Sequence, residues 1–357
     1  MRVLLFSPVS LEHNGGAELY LLHFSEFLKE HGHEMKLLTG LPFWRIVRWS
    51  VLTPDTRRQL EKAFLWADIV YCSYGFAGVD WALTSLGRKY RTPVFAGHHA
   101  PILHHDALHN LWMQTGGRIL LGRFAGHHVL NRDHEKLLQG WGVKHVCFVP
   151  CGIDRTMFTP KGKGSHTPIR FLFVGRPGRQ KGGDVLLEAI NQLSEIDRRR
   201  CAFRTIGLDQ SRNFPKVSRI DHLGGVPHKD IPRHMQWADI VVVPSREETS
   251  PAVVLEALAS GRPVLGSDIL AIRTFVNPDK NGWLVKPGSV ATLSEGISRT
   301  VRLFGRRPKV LSTSTSLSAE GPQAWSEMSQ EARRSTAAFE EQALFKNLLR
   351  FCMERFS

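Results

Sequence analysis

Two acidic side chains, two cations and a pair of histidines stand at points of this sequence where chemistry can be done. Glu248 follows the β-branched run Ile240-Val241-Val242-Val243-Pro244-Ser245, and Glu256 lies in the helix-like stretch closed by Gly261-Arg262-Pro263. A carboxylate at the carboxyl end of a parallel strand accepts hydroxyl hydrogen bonds from a ribose or a hexose, and open α/β sheets bind nucleotides there. Two merely solvated glutamates are the competing reading. The run Val174-Gly175-Arg176-Pro177-Gly178-Arg179-Gln180-Lys181-Gly182-Gly183 also follows a strand-like segment. Arg176 can fork two phosphate oxygens and Lys181 can add a point charge, which suits a pyrophosphate. Solvated loop charge is the alternative, and Arg179 is assigned to it. Near the N-terminus, Asn14-Gly15-Gly16-Ala17-Glu18 opens a helix after the first strand. Glycines admit a ligand to the backbone, and the exposed amides favour an anion. The segment lacks the GxGxxG spacing of a dinucleotide site, and a tight strand–helix turn would also explain it. Ala96-Gly97-His98-His99-Ala100-Pro101 ends another strand, placing a histidine to bind substrate or move a proton.

His104, His105 and His109 follow closely, so a metal cluster has to be weighed. Neither an HExxH helix nor an Asp-x-Asp pair is present, and Pro101 breaks any continuous helical face, so no metal is expected. The chain has 357 residues, 42% hydrophobic and 22% charged, which suits two globular α/β units and not a disordered protein. A formal net charge of +14 favours anionic partners such as nucleotide phosphates or anionic lipid head groups. It is spread along the chain without a nucleic-acid recognition motif, so no nucleic acid is expected. Five cysteines without CxxC spacing fit a reduced, cytoplasmic chain. No apolar run approaches the ~18 residues of a membrane span.

Positioning these groups requires strands alternating with helices. Strands are expected at residues 3–7, 35–39, 68–72, 93–97, 127–131 and 145–150, and then at 170–175, 203–207, 219–223, 240–244, 263–267 and 282–285. Such alternation builds parallel, doubly wound sheets. The turn-rich basic stretch Thr159-Pro160-Lys161-Gly162-Lys163-Gly164-Ser165 divides the chain into domains 1–158 and 159–338. Residues 306–323 form a polar surface loop, and 339–357 form a terminal helix that returns to the first domain.

The order of GGAE, a strand-end histidine, Val149-Pro150-Cys151-Gly152-Ile153-Asp154, GR(x4)KG and E(x7)E resembles the family 4 retaining glycosyltransferases, glycosyl transferases group 1. The likeness runs from Met1 to about Gly288. It implies an α/β fold of two doubly wound Rossmann-like domains facing each other across a cleft (GT-B). It also implies a hexose moved from a nucleotide-diphosphate sugar to a glycan or lipid-linked hydroxyl, without a metal or other cofactor. By the same resemblance, Arg176 and Lys181 hold the donor diphosphate, Glu256 the ribose, and Glu248 the sugar near its anomeric carbon. His99 matches the cleft histidine, with His98 as its competitor, and Gly15 and Gly16 match the loop approaching the donor. Where the family often has Gly-Phe-Gly, this chain has Thr249-Ser250-Pro251. Ser250 remains on the donor side, but Pro251 has no amide proton to give.

The chemistry that follows is charge stabilisation. Arg176, Lys181 and helix amides meet the charge on the leaving diphosphate, and that phosphate takes the acceptor's proton. Phe43–Leu52 is expected to be a helix with Trp44, Val47 and Val51 on one face and Arg45 and Arg48 to one side. It is either an anionic-membrane contact at the inner face of the cell membrane or a packed helix near the acceptor. The rival functions are a nucleotide-sugar epimerase and a catalytically silent nucleotide-sugar-binding subunit.

Overall fold

The structure is a computed structural model that describes residues 1–10, 16–46, 49–103, 107–161, 166–208, 220–304 and 322–355. The chain divides into two compact units, Met1–Cys151 with Glu341–Ser357, and Gly152–Glu340. Ile153 and Arg155 belong to the second unit for a visible reason. The Ile153 amide donates to the Phe339 carbonyl, and Arg333 donates to the carbonyls of Arg155, Phe158 and Ala259.

The first unit is built on β1 (Arg2–Ser7), β2 (Glu34–Thr39), a separate hairpin of β3 (Phe43–Ile46) and β4 (Trp49–Leu52), then β5 (Ile69–Ser73), β6 (Val94–His98), β7 (Gly126–Val129) and β8 (Val146–Phe148). Six of these form a parallel sheet in the order β2-β1-β5-β6-β7-β8. Both faces are covered, so β1 can be apolar throughout. Val3, Leu5, Tyr71 and Phe95 point to one face, under the helices Gly16–Glu30 and Glu341–Met353. Leu4, Phe6, Cys72 and Ala96 point to the other, under Pro54–Trp66 and Ala77–Tyr90. The two-residue period of a strand does this sorting. The terminal helix joins the first face through Phe345, Leu348 and Phe351, while His23 lies 2.9 Å from Glu341.

The second unit carries β9 (Ile169–Val174), β10 (Cys201–Ile206), β11 (Ile220–His222), β12 (Ile240–Val243), β13 (Val264–Ser267) and β14 (Gly282–Val285). They form a parallel sheet in the order β11-β10-β9-β12-β13-β14. Helices Gly183–Asn191, Val290–Phe304 and Pro322–Ser335 pack on one face, where Trp325 also donates to the Asp239 carbonyl at 3.1 Å.

One expectation is corrected. Phe43–Ile46 and Trp49–Leu52 pair as the antiparallel β3–β4 ribbon and not as the expected helix, with Phe43 opposite Leu52 and Trp44 opposite Val51. Phe43, Trp44, Ile46, Trp49 and Val51 are aromatic or β-branched, types whose propensity favours strands whatever helical spacing they also allow. Val47 and Arg48 lie outside the described residues, as do residues 306–321 of the expected polar loop. The helix Pro322–Ser335 begins within the stretch expected to be loop.

Candidate functional site

In the second sheet, β9 leads to β10 on one side, whereas its other neighbour β12 leads away to β13. Connections that diverge from adjacent strands leave a crevice beyond their carboxyl ends, the usual ligand position of an open α/β sheet. The loops after β9 and after β12 carry Arg176 with Lys181 and Glu248, respectively.

Lys181 and Glu248 meet directly. Lys181 Nζ donates to both carboxylate oxygens, at 2.7 and 2.9 Å, and Ser245 Oγ donates to Oε1 at 2.8 Å. The Glu248 side chain is 8% exposed and that of Lys181 33%. An ammonium has three donors, so Lys181 retains one for a ligand. The close approach depends on Gly182, which has φ 69° and would place a Cβ 2.0 Å from the Pro244 carbonyl oxygen.

Arg246 fastens the two loops. Its guanidinium forks both oxygens of Asp184 at 2.8 and 2.7 Å and donates to the Arg179 carbonyl at 2.6 Å, while its amide donates to the Gln180 carbonyl at 2.7 Å. The hydrogen bonds from Arg246 hold the Asp184 carboxyl below its ordinary range. Arg176 is exposed, with no hydrogen-bond or ion-pair partner among the described residues. Ser250 lies half-buried in the turn before Ala252–Ala259.

Glu256 is buried one turn into that helix and accepts from His228 Nε2 at 2.8 Å. His228 sits in a short turn after β11, and Phe158 packs on its ring at 5.8 Å. Sequence reasoning missed His228 and Arg246. A histidine on a Gly-Gly-Val-Pro turn has no spacing that ties it to Glu256. Arg246 was visible beside Ser245 but reads as loop charge.

In the first unit, Gly16 opens the helix Gly16–Glu30, and a Cβ added there would meet nothing within 4 Å. Gly15 lies outside the described residues, as do His104 and His105. Tyr20, one turn into that helix, packs on His99 with ring centroids 4.7 Å apart. His98 and His99 diverge to opposite faces of the sheet. His99 Nε2 lies 3.1 Å from Tyr71 Oη, which lies 2.7 Å from His128 Nδ1, while His128 Nε2 lies 2.7 Å from the Val149 carbonyl. His98 Nε2 lies 3.0 Å from His127 Nδ1, and His127 Nε2 lies 3.0 Å from the Leu121 carbonyl. Burial, with His128 adding to it, pushes His99 down to about 3. Burial holds His127 and His128 down at about 4 and lowers His98 well below the usual histidine range.

Residues 168–302 match the family described as Glycosyl transferases group 1. This stretch is a Glycosyl transferases group 1 domain. The group 1 domain contains Arg176, Lys181, His228, Arg246, Glu248, Ser250 and Glu256. The chain is 29% identical over 201 residues to D-inositol 3-phosphate glycosyltransferase of Xylanimonas cellulosilytica, covering 48% of this chain and 47% of that protein. It is 27% identical over 178 residues to the amylovoran biosynthesis glycosyltransferase AmsK of Erwinia amylovora, covering 45% and 43%. The chain thus spans about half the length of the curated relatives it matches. Among solved structures, sucrose-phosphate synthase from Thermosynechococcus elongatus superposes with a TM-score of 0.74 at 17% identity, over 100% of this chain and 99% of that one. Anabaena HepE in complex with UDP-glucose superposes with a TM-score of 0.73 at 16% identity, over 99% of each chain. These likenesses extend beyond the group 1 domain and show the two-domain α/β GT-B fold.

Proposed function

We propose that the protein is a glycosyltransferase that moves a hexose from a nucleotide-diphosphate sugar to a glycan or lipid-linked hydroxyl, with retention of anomeric configuration and without a metal. The observation that carries the reading is the Lys181–Glu248 pair beyond the ends of β9 and β12, inside the group 1 domain. A cation bound to a carboxylate at a strand-end crevice offers a diphosphate one free ammonium donor and a sugar one acidic acceptor. HepE is described in complex with UDP-glucose, which supports a nucleotide-sugar donor here.

Bond cleavage between sugar and diphosphate leaves negative charge on the departing phosphate. In this reading Lys181 and Arg176 stabilise that charge, and no reorganisation is needed when it develops. The departing phosphate takes the acceptor's proton as the new bond forms on the same face. Glu256 holds the ribose, Glu248 and Ser250 the sugar, and His99 a sugar hydroxyl, while Gly15 and Gly16 admit the donor to the backbone. The excess of positive charge suits a peripheral position at an anionic membrane surface.

The test is incubation with uridine, guanosine and adenosine diphosphate sugars, with free glycans, lipid-linked glycans or no acceptor, with and without a chelator. Acceptor-dependent release of nucleoside diphosphate, chelator-insensitive and giving the donor's anomer, is the expected result. An epimerised donor formed without acceptor would replace this reading with an isomerase.

A further inference from the structure

The Val149 carbonyl determines where the protons sit on three buried side chains. A carbonyl only accepts, so His128 Nε2 carries a proton and donates it at 2.7 Å. His128 is a neutral ring, so its Nδ1 is bare and accepts from the Tyr71 hydroxyl at 2.7 Å. With its proton committed, Tyr71 Oη accepts from His99 Nε2 at 3.1 Å. His99 Nε2 therefore bears the proton and His99 Nδ1 a lone pair. That Nδ1 is buried, with no hydrogen-bond partner among the described residues. An acceptor left without a donor in the interior is destabilising, and a ligand donor relieves it.

The fold is arranged around this relay. Strand alternation puts Phe95, Gly97 and His99 on the face that carries Tyr71, and Gly97 stands opposite His128 in register. A Cβ at Gly97 would lie 2.2 Å from Tyr71 Oη and 2.7 Å from His99 Nε2, so the hydrogen bond between them requires a residue without a side chain. Among the described residues, the titratable groups facing His99 are Tyr20 from the first helix, Tyr71 from β5 and His128 from β7. His128 is the group whose field acts on it. His98 on the opposite face follows the same logic from the Leu121 carbonyl through His127, and its Nδ1 is also bare and buried.

We infer that Tyr71 and His128 are positioning residues that hold His99 as a neutral ring presenting Nδ1 as an acceptor, so that this atom takes a sugar hydroxyl and rejects a phosphate oxygen. The assignment rests on the glycosyltransferase reading for the identity of the ligand, but the proton positions do not. It also removes His99 as a proton donor, since its one proton is held by Tyr71.

Two-bond nitrogen–proton spectra of 15N-histidine protein test it, with His99 assigned by its loss in His99→Asn. The expected result is an Nε2–H tautomer that does not titrate between about pH 5 and about pH 8. The Nδ1 signal should move with the nucleotide-sugar and stay in place with the nucleoside diphosphate alone. Tyr71→Phe should mix the tautomers and lower kcat/KM by roughly 3- to 10-fold, the equivalent of one neutral hydrogen bond. A titrating or Nδ1-protonated His99 in the wild type overturns the inference even if transfer is intact, and so does an Nδ1 signal that moves equally with the diphosphate. A non-titrating Nε2–H His99 in a protein that binds no nucleotide-sugar would instead overturn the functional reading.

Discussion

Replacing Lys181 with methionine separates the structural from the ligand-binding part of the site. The change keeps the length of the side chain but removes two charge-assisted hydrogen bonds to a carboxylate only 8% exposed, leaving it Ser245 Oγ. Removing one partner of a fully buried pair costs ~3–5 kcal/mol, whereas exposed pairs are worth ~0–1 kcal/mol. Lys181 is one-third exposed, which places this pair between those limits, at about 2 kcal/mol. For a unit of this size that corresponds to a fall of roughly 4–8 °C in Tm. Adding Glu248→Gln to Lys181→Met should recover most of the lost stability, because a neutral amide needs no counter-ion. Calorimetric scans of the two single variants and the double variant form the cycle. A Lys181→Met protein as stable as wild type, or a double variant no better than the single, would refute a formed pair.

Three further outcomes follow from the same physics. His99, His127, His128 and His134, held down by burial to about 3, 4, 4 and 4, must take up protons on unfolding as pH falls below the ordinary histidine value. Each contributes ~1.4 kcal/mol per pH unit, so stability should drop steeply from pH ~6.5 towards pH ~4, and a flat Tm over that window would contradict their burial. Asp80 behaves oppositely: burial raises it to about 7, so the stability present below its unfolded value is lost as pH rises to 7. Asp80→Asn keeps an acceptor for the Gly75 and Phe76 amides and should raise Tm more at pH 8 than at pH 5, which paired scans would detect. Gly182→Ala should destabilise by more than ~1 kcal/mol in urea titrations, since it combines a strained φ with a collision against Pro244.

The inner sheet strands were legible because a parallel strand buried on both faces reads as a short apolar run, as Val3–Phe6 and Ile240–Val243 do. The β3–β4 ribbon was not, since its apolar and basic residues follow no strict two-residue period and also fit a helical face. The placement of Lys181 and Glu248 in loops beyond strand ends, and of Glu256 on the helix that follows, was visible in order and spacing. Their partners were not. The Lys181–Glu248 contact follows from β9 and β12 being neighbours, a fact of sheet order that local pattern does not carry. His228 reaches Glu256 from a loop 28 positions away in sequence, and the Tyr71–His128 relay joins residues separated by 57. Such pairings belong to the tertiary fold alone.

The central claim, that the group 1 domain grips a nucleotide-diphosphate sugar through Lys181 and Glu256, is tested most directly by titration calorimetry. Wild type, Lys181→Ala and Glu256→Ala should be titrated with nucleoside diphosphates and their sugars. The account predicts that one base binds the wild type, and that each variant loses at least roughly 10-fold in affinity, as expected for a lost charged hydrogen bond. Equal binding by all three proteins, or binding of no nucleotide by the wild type, would contradict it.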